Sequence, residues 1–362
     1  MKVNMVTPWN FVCGNADYAK KLVRELKKWV RVGIIEIERP NIRNPLFFRE
    51  LAIRANKNCN VIHVQHGYAL FGNMGFSGIY GPIFYSSLDK RKMIITTLHD
   101  VEDYTKSGWI GKLRVVFRDI IDPFIFNKSN IIHVHSKIAR NKLIQRGVDP
   151  RKIAVSPLGI FVKPKILSKN LSKKKLGLSG KIVIILLGFV HMNKGYDLAI
   201  RAMKKLDKKV VLLIVGKSKN DNYVKSLITL CKKLGVENRV IFYGEFRGDE
   251  IPIILSATDV ALMPYRKISQ SSVLDTVLSY MIPVVANGLD FFKNIEKEYG
   301  CLFTFKKNDM RSLCNKLNIL IKKPKIIDKS GLEKYLSERS PENITKFLVN
   351  LYKGGKNENS YN

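Results

Sequence analysis

Residues 182–197 read Ile182-Val183-Ile184-Ile185-Leu186-Leu187-Gly188-Phe189-Val190-His191-Met192-Asn193-Lys194-Gly195-Tyr196-Asp197. Six aliphatic residues in a row, stopped by a glycine, suit a strand buried on both faces. An amphipathic helical pattern follows from Gly195 to Lys205. A strand covered on both sides and chased by a helix is the unit of a parallel, doubly wound sheet. Downstream the unit repeats, with strands expected at Val210 to Val215, Val240 to Tyr243, Val260 to Met263 and Pro283 to Ala286. Helices are expected between them at Tyr223 to Leu234, Asp249 to Ala257, Ser272 to Tyr280 and Met310 to Ile321.

Upstream the same alternation occurs once before. Strands are expected at Lys2 to Thr7, Val32 to Ile37, Val61 to Gln65, Met93 to Leu98 and Ile131 to His135. Ala16 to Val30 reads as a helix whose apolar stripe is Ala16, Ala19, Leu22, Val23, Leu26, Trp29 and Val30. The chain of 362 residues therefore divides into an N-terminal Rossmann-like domain (1–162), a Lys/Ser/Leu-rich linker (163–180), a second Rossmann-like domain (181–338) and a last helix (339–354). Ser340, Pro341 and Glu342 open that helix, with proline at a favoured early position. The fold class expected is α/β, two doubly wound domains facing a central cleft. Strand ends and helix N-termini on both walls suit a phosphorylated ligand.

Composition narrows the partners. Hydrophobic residues make up 46% of the chain, enough for two cores, which excludes wholesale disorder. Lys and Arg number 63 against 30 Asp and Glu, a formal charge of +33. Residues 1–180 hold 32 of the basic and 12 of the acidic residues, net +20, leaving +13 for the rest. An excess of that size points to a polyanion: a membrane surface, a nucleic acid or a phosphorylated ligand. Five scattered cysteines without a CxxC pair argue against a disulfide framework or a structural zinc site. The start MKVNMVTPW lacks a signal-peptide core, and no apolar run is long enough to span a bilayer. The expected location is cytoplasmic or peripheral on the cytoplasmic membrane face.

Two stretches carry chemistry. In the first, Gly188 would let backbone come close to a ligand and Lys194 stands at a helix start, a place that suits either a diphosphate partner or a solvent-facing lysine. The second runs Met263-Pro264-Tyr265-Arg266-Lys267-Ile268-Ser269-Gln270-Ser271-Ser272-Val273-Leu274-Asp275-Thr276. There Ser271 and Ser272 cap a helix and aim its amides outward, and Arg266 supplies a fork-shaped cation. Neither a GxGxxG nor a GxxxxGK[ST] motif is present. Among the six histidines, His63 and His133 alternate with apolar residues inside strands and read as core. His66 and His135 end strands on the ligand side, and His191 lies in the Gly188 to Lys194 loop.

In order along the chain, these stretches resemble the GT-B glycosyltransferases of the retaining family 4. Cys13-Gly14-Asn15-Ala16-Asp17-Tyr18-Ala19 is similar to that family's glycine loop and first helix. Val64-Gln65-His66-Gly67-Tyr68-Ala69-Leu70-Phe71 resembles its QHEYGIF-like strand end, with Gly67 in place of the acidic residue. Thr97-Leu98-His99-Asp100 matches its TxHD segment, 132–160 resembles the approach to its interdomain linker, and the last helix (339–354), with Phe347, Leu351 and Tyr352, resembles the one that crosses back to the N-terminal domain. The resemblance implies a hexose transferase using a UDP- or GDP-sugar with retention. Glu102 and Asp103 after His99 are the candidate metal or acceptor carboxylates, but without a DxD motif no obligatory cofactor or bound metal is expected. It implies Gly14, Asn15, Gly188, Lys194, Arg266, Ser271, Ser272 and Val273 around the donor diphosphate, His99 at the donor sugar, and His66 and Asp100 on the acceptor side. It also makes Lys194 and His99 the catalytic pair, because negative charge grows on the leaving diphosphate while the anomeric bond breaks.

The sequence departs from the family in two places. Phe189 replaces the arginine that commonly follows the glycine equivalent to Gly188. The paired glutamates, eight residues apart, fall on Ile268 and Thr276. Asp275, one residue earlier, is the remaining carboxylate for the nucleotide ribose, although a regular helix turns it about 100° away.

The charge then has an expected place. Lys20, Lys21, Arg24, Lys27, Lys28 and Arg31 line the face of the first helix opposite its apolar stripe, and a mixed basic and aromatic stretch covers Lys106 to Arg118. Each such residue near anionic lipid is worth about 1 kcal/mol, so an anionic membrane and a lipid-linked or other glycan acceptor are the expected partners. No nucleic-acid motif is present, so a nucleic-acid-binding protein ranks third. A non-catalytic GT-B-like scaffold subunit ranks second.

Overall fold

The structure is a computed structural model describing residues 1–10, 13–38, 41–72, 78–99, 101, 108–218, 220–268, 270–307, 309–323 and 328–355. The chain forms two compact units, Met1–Phe161 with Arg339–Asn362, and Val162–Glu338.

Unit 1 holds six parallel strands: β1 (Lys2–Thr7), β2 (Arg31–Glu36), β3 (Val61–His66), β4 (Met93–Leu98), β5 (Ile131–Val134) and β6 (Ile153–Val155). Their order is β2-β1-β3-β4-β5-β6. Unit 2 holds β7 (Ile182–Leu187), β8 (Val210–Val215), β9 (Val240–Gly244), β10 (Val260–Met263), β11 (Val284–Asn287) and β12 (Phe303–Phe305). Its order is β12-β11-β10-β7-β8-β9. Read from the far edge, this is 3-2-1-4-5-6, the Rossmann order. The α/β doubly wound class read from the sequence is the class observed.

Topology fixes where ligands can go. Each sheet grows outward on one side of its first strand and then restarts on the other, leaving a crevice at the strands' carboxyl ends. In unit 1 that switch lies between β1 and β3, and in unit 2 between β7 and β10.

Burial follows the strand pattern. Every residue of β3 and of β8 is buried, as a central parallel strand demands. One face of the unit 1 sheet is covered by the helix Gly14–Leu26 and the last helix, Pro341–Tyr352. Ile344, Leu348, Leu351 and Tyr352 of the latter share a core with Val3, Met5, Leu22 and Ile95. The Ser340 hydroxyl accepts from the Asn343 amide at 3.2 Å, and Pro341 opens the helix, as the sequence implies.

Four readings need adjustment. The first helix stops at Leu26, so Trp29 leaves the apolar stripe and stands 50% exposed. The strands β6 and β12, three residues each, are too short to leave a period in the sequence. Residues 163–180 are no slack connector: the helix Lys169–Lys175 packs in unit 2, and the Lys173 ammonium contacts Asp259 at 2.6 Å. Only part of the Lys106 to Arg118 stretch, from Gly108 on, is among the described residues. Among the described residues no helix is long and apolar enough to cross a membrane.

Candidate functional site

In unit 2 the two loops that flank the β7/β10 crevice are stitched together. The Arg266 amide donates to the Asn193 carbonyl at 2.7 Å. The Arg266 guanidinium donates to the Met192 carbonyl at 2.6 Å and to both carboxylate oxygens of Asp197 at 2.8 and 2.7 Å. Arg266 is therefore engaged inside the unit, where it fastens the loop that carries Lys194. The free phosphate fork expected from the sequence is not what this geometry offers, because Asp197 already fills it.

Gly195 makes the stitch possible. It sits at φ +69°, and a Cβ there would lie 2.0 Å from the Pro264 carbonyl oxygen. Gly195→Ala is expected to lower the stability of unit 2 by several kcal/mol, since the left-handed backbone alone costs about 1–2 kcal/mol. Denaturant unfolding checks this, and an unchanged midpoint would show that the two loops are not in this contact.

Lys194 emerges from the stitched loops half-buried, its ammonium 3.8 Å from the centroid of the Tyr265 ring. Among the described residues no carboxylate lies within ion-pair distance. Burial pushes its pKa down to about 8, because the charge has lost water and gained only a ring face.

The other wall supplies amides. Ser271 caps the helix Ser272–Ser279: its hydroxyl accepts from the Leu274 amide at 3.1 Å and its carbonyl from the Asp275 amide at 3.2 Å. Among the described residues, the amides of Ser272 and Val273 have no acceptor, and the helix dipole adds to their pull on an anion. Gly188, at φ +109°, lies against this helix start, since a Cβ on it would touch the Val273 side chain at 3.3 Å. The Tyr196 hydroxyl donates to its carbonyl at 3.0 Å. Gly188 and Val273 are thus neighbours, and Lys194 lies over Tyr265 on the loop that leads from β10 to this helix.

Asp275 does not join them. Its side chain is 6% exposed and accepts from the Tyr335 hydroxyl at 2.6 Å. The ribose role is corrected accordingly: the helix turns this carboxylate into the core. Thr276 bonds the Ser272 carbonyl at 2.8 Å.

In unit 1 the β1/β3 crevice is flanked by Gly14 and Asn15. The Cys13 sulfur accepts from the Ala16 amide at 3.4 Å, and Gly14 has nothing within 4 Å of a would-be Cβ. A Cβ on Gly67, just past β3, would come 3.3 Å from the Asn15 side-chain nitrogen.

His66 is not at that edge. It is fully buried, stacked on Phe71 with centroids 4.5 Å apart, and hydrogen-bonded to the Tyr85 hydroxyl at 3.1 Å. The acceptor-side reading of His66 is overturned by this aromatic packing. Asp100, Glu102 and Asp103 lie outside the described residues.

His99 follows β4 and is 9% exposed. Its Nε2 donates to Gln65 Oε1 at 2.7 Å, and its ring lies 5.3 Å from that of His135 and 5.6 Å from Tyr18. Burial holds it well below the ordinary histidine range, helped by His135, His63 and His66, so it is a neutral imidazole at pH 7.

Sequence reasoning missed what stands behind His99. His63 and Gln65, Thr97 and His99, and His133 and His135 are polar pairs two residues apart on or just past β3, β4 and β5. Period 2 puts each pair on one face, and that was the available signal. Among the described residues no cluster of three or more His, Cys, Asp or Glu side chains is arranged to hold a metal ion.

Residues 168–341 match the family described as Glycosyl transferases group 1. The chain is 26% identical over 231 residues to an uncharacterized glycosyltransferase of Methanocaldococcus jannaschii, covering 61% of this chain and 55% of the relative. It is 31% identical over 208 residues to the GDP-mannose-dependent alpha-(1-6)-phosphatidylinositol monomannoside mannosyltransferase of Mycolicibacterium smegmatis, covering 54% and 50%. The chain spans about half the length, or less, of the curated relatives it matches. Among solved structures, Anabaena HepE in complex with UDP and glucose superposes with a TM-score of 0.76 at 17% identity, over 98% of this chain and 100% of that one. WaaG, a glycosyltransferase involved in lipopolysaccharide biosynthesis, gives 0.72 at 15% identity, over 98% and 100%. These likenesses establish the fold, two parallel six-stranded α/β sheets as in the GT-B glycosyltransferases.

Proposed function

We propose that the protein is a retaining glycosyltransferase, moving a hexose from a nucleotide diphosphate sugar to a lipid-linked glycan, a glycolipid or another glycan. The observation that carries this reading is Lys194, a half-buried cation over Tyr265 without a carboxylate partner among the described residues, in the same unit as Gly188 packed on the start of the Ser271-capped helix. That set suits a diphosphate. As the anomeric bond breaks, charge grows on the leaving phosphate, and a fixed ammonium with two fixed amides stabilises that charge without reorganising.

The rest of the donor site follows by role. In unit 1, Gly14 and Asn15 are assigned to donor binding, and neutral His99 to the transferring sugar, by the resemblance of their segments to the family alone. The match to Glycosyl transferases group 1 and the UDP and glucose bound by Anabaena HepE support a nucleotide-sugar donor. With neither Asp275 nor Thr276 offering a carboxylate to a ribose, backbone and hydroxyl groups must hold the nucleoside. That same observation favours the second reading, a GT-B-like subunit without catalysis.

Transfer or donor hydrolysis across a panel of UDP- and GDP-sugars separates the two. Turnover of at least one donor supports the enzyme, and folded protein that turns over none supports the scaffold.

The acceptor side is read as facing anionic lipid, which gives the excess charge a use. Trp29 stands among Lys27, Lys28 and Arg31, all exposed. On the helix Gly108–Lys128, Val116, Ile120 and Phe124 are exposed at four-residue spacing. Apolar side chains flanked by cations suit the interface of an anionic bilayer. Co-sedimentation with vesicles containing anionic lipid is expected for the wild type, weakened several-fold in Ile120→Ser/Phe124→Ser. Equal sedimentation of both proteins with neutral vesicles would remove this part of the reading.

A further inference from the structure

Behind His99 runs a buried chain of hydrogen bonds that ends on the last helix. His99 Nε2 donates to Gln65 Oε1 at 2.7 Å, and the Gln65 amide nitrogen donates to His63 Nε2 at 3.1 Å. His63 Nδ1 meets the Tyr352 hydroxyl at 2.6 Å. Burial pushes His63 down to about 3 and holds His99 low as well, so each ring is neutral and carries a single N–H. If the Gln65 amide donates to His63 Nε2, that nitrogen is bare, and the proton must sit on Nδ1, facing Tyr352. Gln65 Oε1 then accepts, so the proton of His99 sits on Nε2 and its Nδ1 is left as a bare acceptor. The Gln65 amide, which donates from its nitrogen and accepts at its oxygen, sets both rings, and the Tyr352 and Thr97 hydroxyls follow: the first accepts from His63 Nδ1–H and the second donates to His63 Nε2 at 2.7 Å.

We infer that Tyr352 is a positioning residue for His99: through His63 and Gln65, its hydroxyl selects the Nε2–H tautomer and leaves Nδ1 as the acceptor offered to substrate. The inference rests on the role of His99 proposed above. Tyr352 lies 289 residues from His63 in sequence, so the last helix must be docked on the unit 1 sheet for the chain to close. Among the described residues, the side-chain hydrogen bond of His99 goes to Gln65 and its ring contacts to Tyr18 and His135, none of them on that helix.

Loss of the hydroxyl has a definite consequence. In Tyr352→Phe the His63 Nδ1–H would be buried without an acceptor, which is costly. The cheaper arrangement moves that proton to His63 Nε2, where Thr97 Oγ1 at 2.7 Å turns from donor to acceptor and gives its own hydrogen bond to His133 Nδ1 at 2.9 Å, the His133 proton moving to Nε2 beside Ser156 Oγ at 2.8 Å. The Gln65 amide then turns over, its oxygen toward His63 and its nitrogen toward His99 Nε2, and the His99 proton moves to Nδ1. The proton count of each ring is unchanged, but the atom offered to substrate switches from acceptor to donor.

The test is a two-bond ¹H–¹⁵N correlation spectrum of histidine-labelled protein, with His99 assigned by its loss in His99→Gln. Wild type is expected in the Nε2–H form and Tyr352→Phe in the Nδ1–H form. Donor turnover should fall about ten- to hundredfold in Tyr352→Phe, by analogy with the partners that orient liganding histidines. Its KM for donor should stay within about twofold, because ground-state binding is left intact. The same His99 tautomer in both proteins would overturn the inference. If Tyr352→Phe does not fold, Gln65→Met cuts the chain from the other side and should produce the same spectral change. Combining the two variants should cost no more than Gln65→Met alone, and additive losses would also overturn it. A wild type that turns over no donor would sink the activity reading, while the spectra would still decide whether Tyr352 sets the tautomer.

Discussion

Lys194→Ala is expected to lower donor turnover on the order of 100- to 1000-fold, the range seen when one fixed donor is removed from a developing anion. The loss should fall on kcat as well as on donor affinity, since charge on the diphosphate grows in the transition state. pH offers a second view of the same group. Lys194 sits down at about 8 because burial has stripped its water. Raising the pH from 7 to 9 therefore removes its proton and weakens diphosphate binding. Lys194→Arg keeps its charge through that range and should flatten the profile. The stability sign is opposite. Between about 8 and the ordinary lysine value the unfolded chain holds the proton more firmly, so stability rises with pH there. A Lys194→Ala protein with undiminished turnover would mean that the ammonium does not meet the diphosphate.

Acid should unfold unit 1 abruptly, beginning below pH 6.5. Burial pushes His63 and His66 down to about 3 and His135 down to about 4, and holds His99 and His133 well below the ordinary range. In the unfolded chain all five take protons near pH 6.5. Below that value the unfolded state binds more protons than the folded one, so stability falls with pH. Each group contributes about 1.4 kcal/mol per pH unit once the unfolded form is protonated, or roughly 7 kcal/mol per unit for five as an upper limit. A fall of that size over one or two pH units is comparable to the whole stability of a domain, about 5–15 kcal/mol. Urea midpoints measured at pH 7, 6 and 5 should drop with increasing steepness, and His66→Gln should reduce the slope by about one proton. A midpoint indifferent to pH over this range would mean that the five rings are not buried together in the folded state.

Much of the fold was legible because parallel strands buried on both faces leave unbroken aliphatic runs. β7, β8 and β10 begin and end where those runs do, and β1 and β4 follow apolar runs interrupted by Asn4 and by Thr96 and Thr97. The glycine after Leu187 and the serine at 271 were legible for a similar reason, since a strand end and a helix cap each need a particular residue. What stayed hidden is tertiary. Nothing local says that Arg266 is spoken for by Asp197, 69 residues away, or that Tyr265 slides under Lys194. His66 was misread because a histidine at a strand end looks the same whether it meets ligand or the rings of Phe71 and Tyr85. Asp275 was misjudged for the complementary reason: its partner, Tyr335, lies 60 residues on, on a helix not anticipated from the sequence. The return of the last helix to the first domain was legible through the family resemblance, but the relay from Tyr352 to His99, joining residues 289 apart, was not, because no local pattern pairs those side chains.

The central claim is that the β7/β10 crevice of unit 2 holds a nucleoside diphosphate against Lys194. Calorimetric titration of UDP and of GDP into the folded wild-type chain and into Lys194→Ala tests it most directly. Saturable 1:1 binding of at least one of them to the wild type, lost or strongly weakened in the variant and weaker at pH 9 than at pH 7, is the predicted result. Folded wild-type protein that binds neither nucleotide, or a Lys194→Ala variant that binds as tightly as wild type, would contradict it.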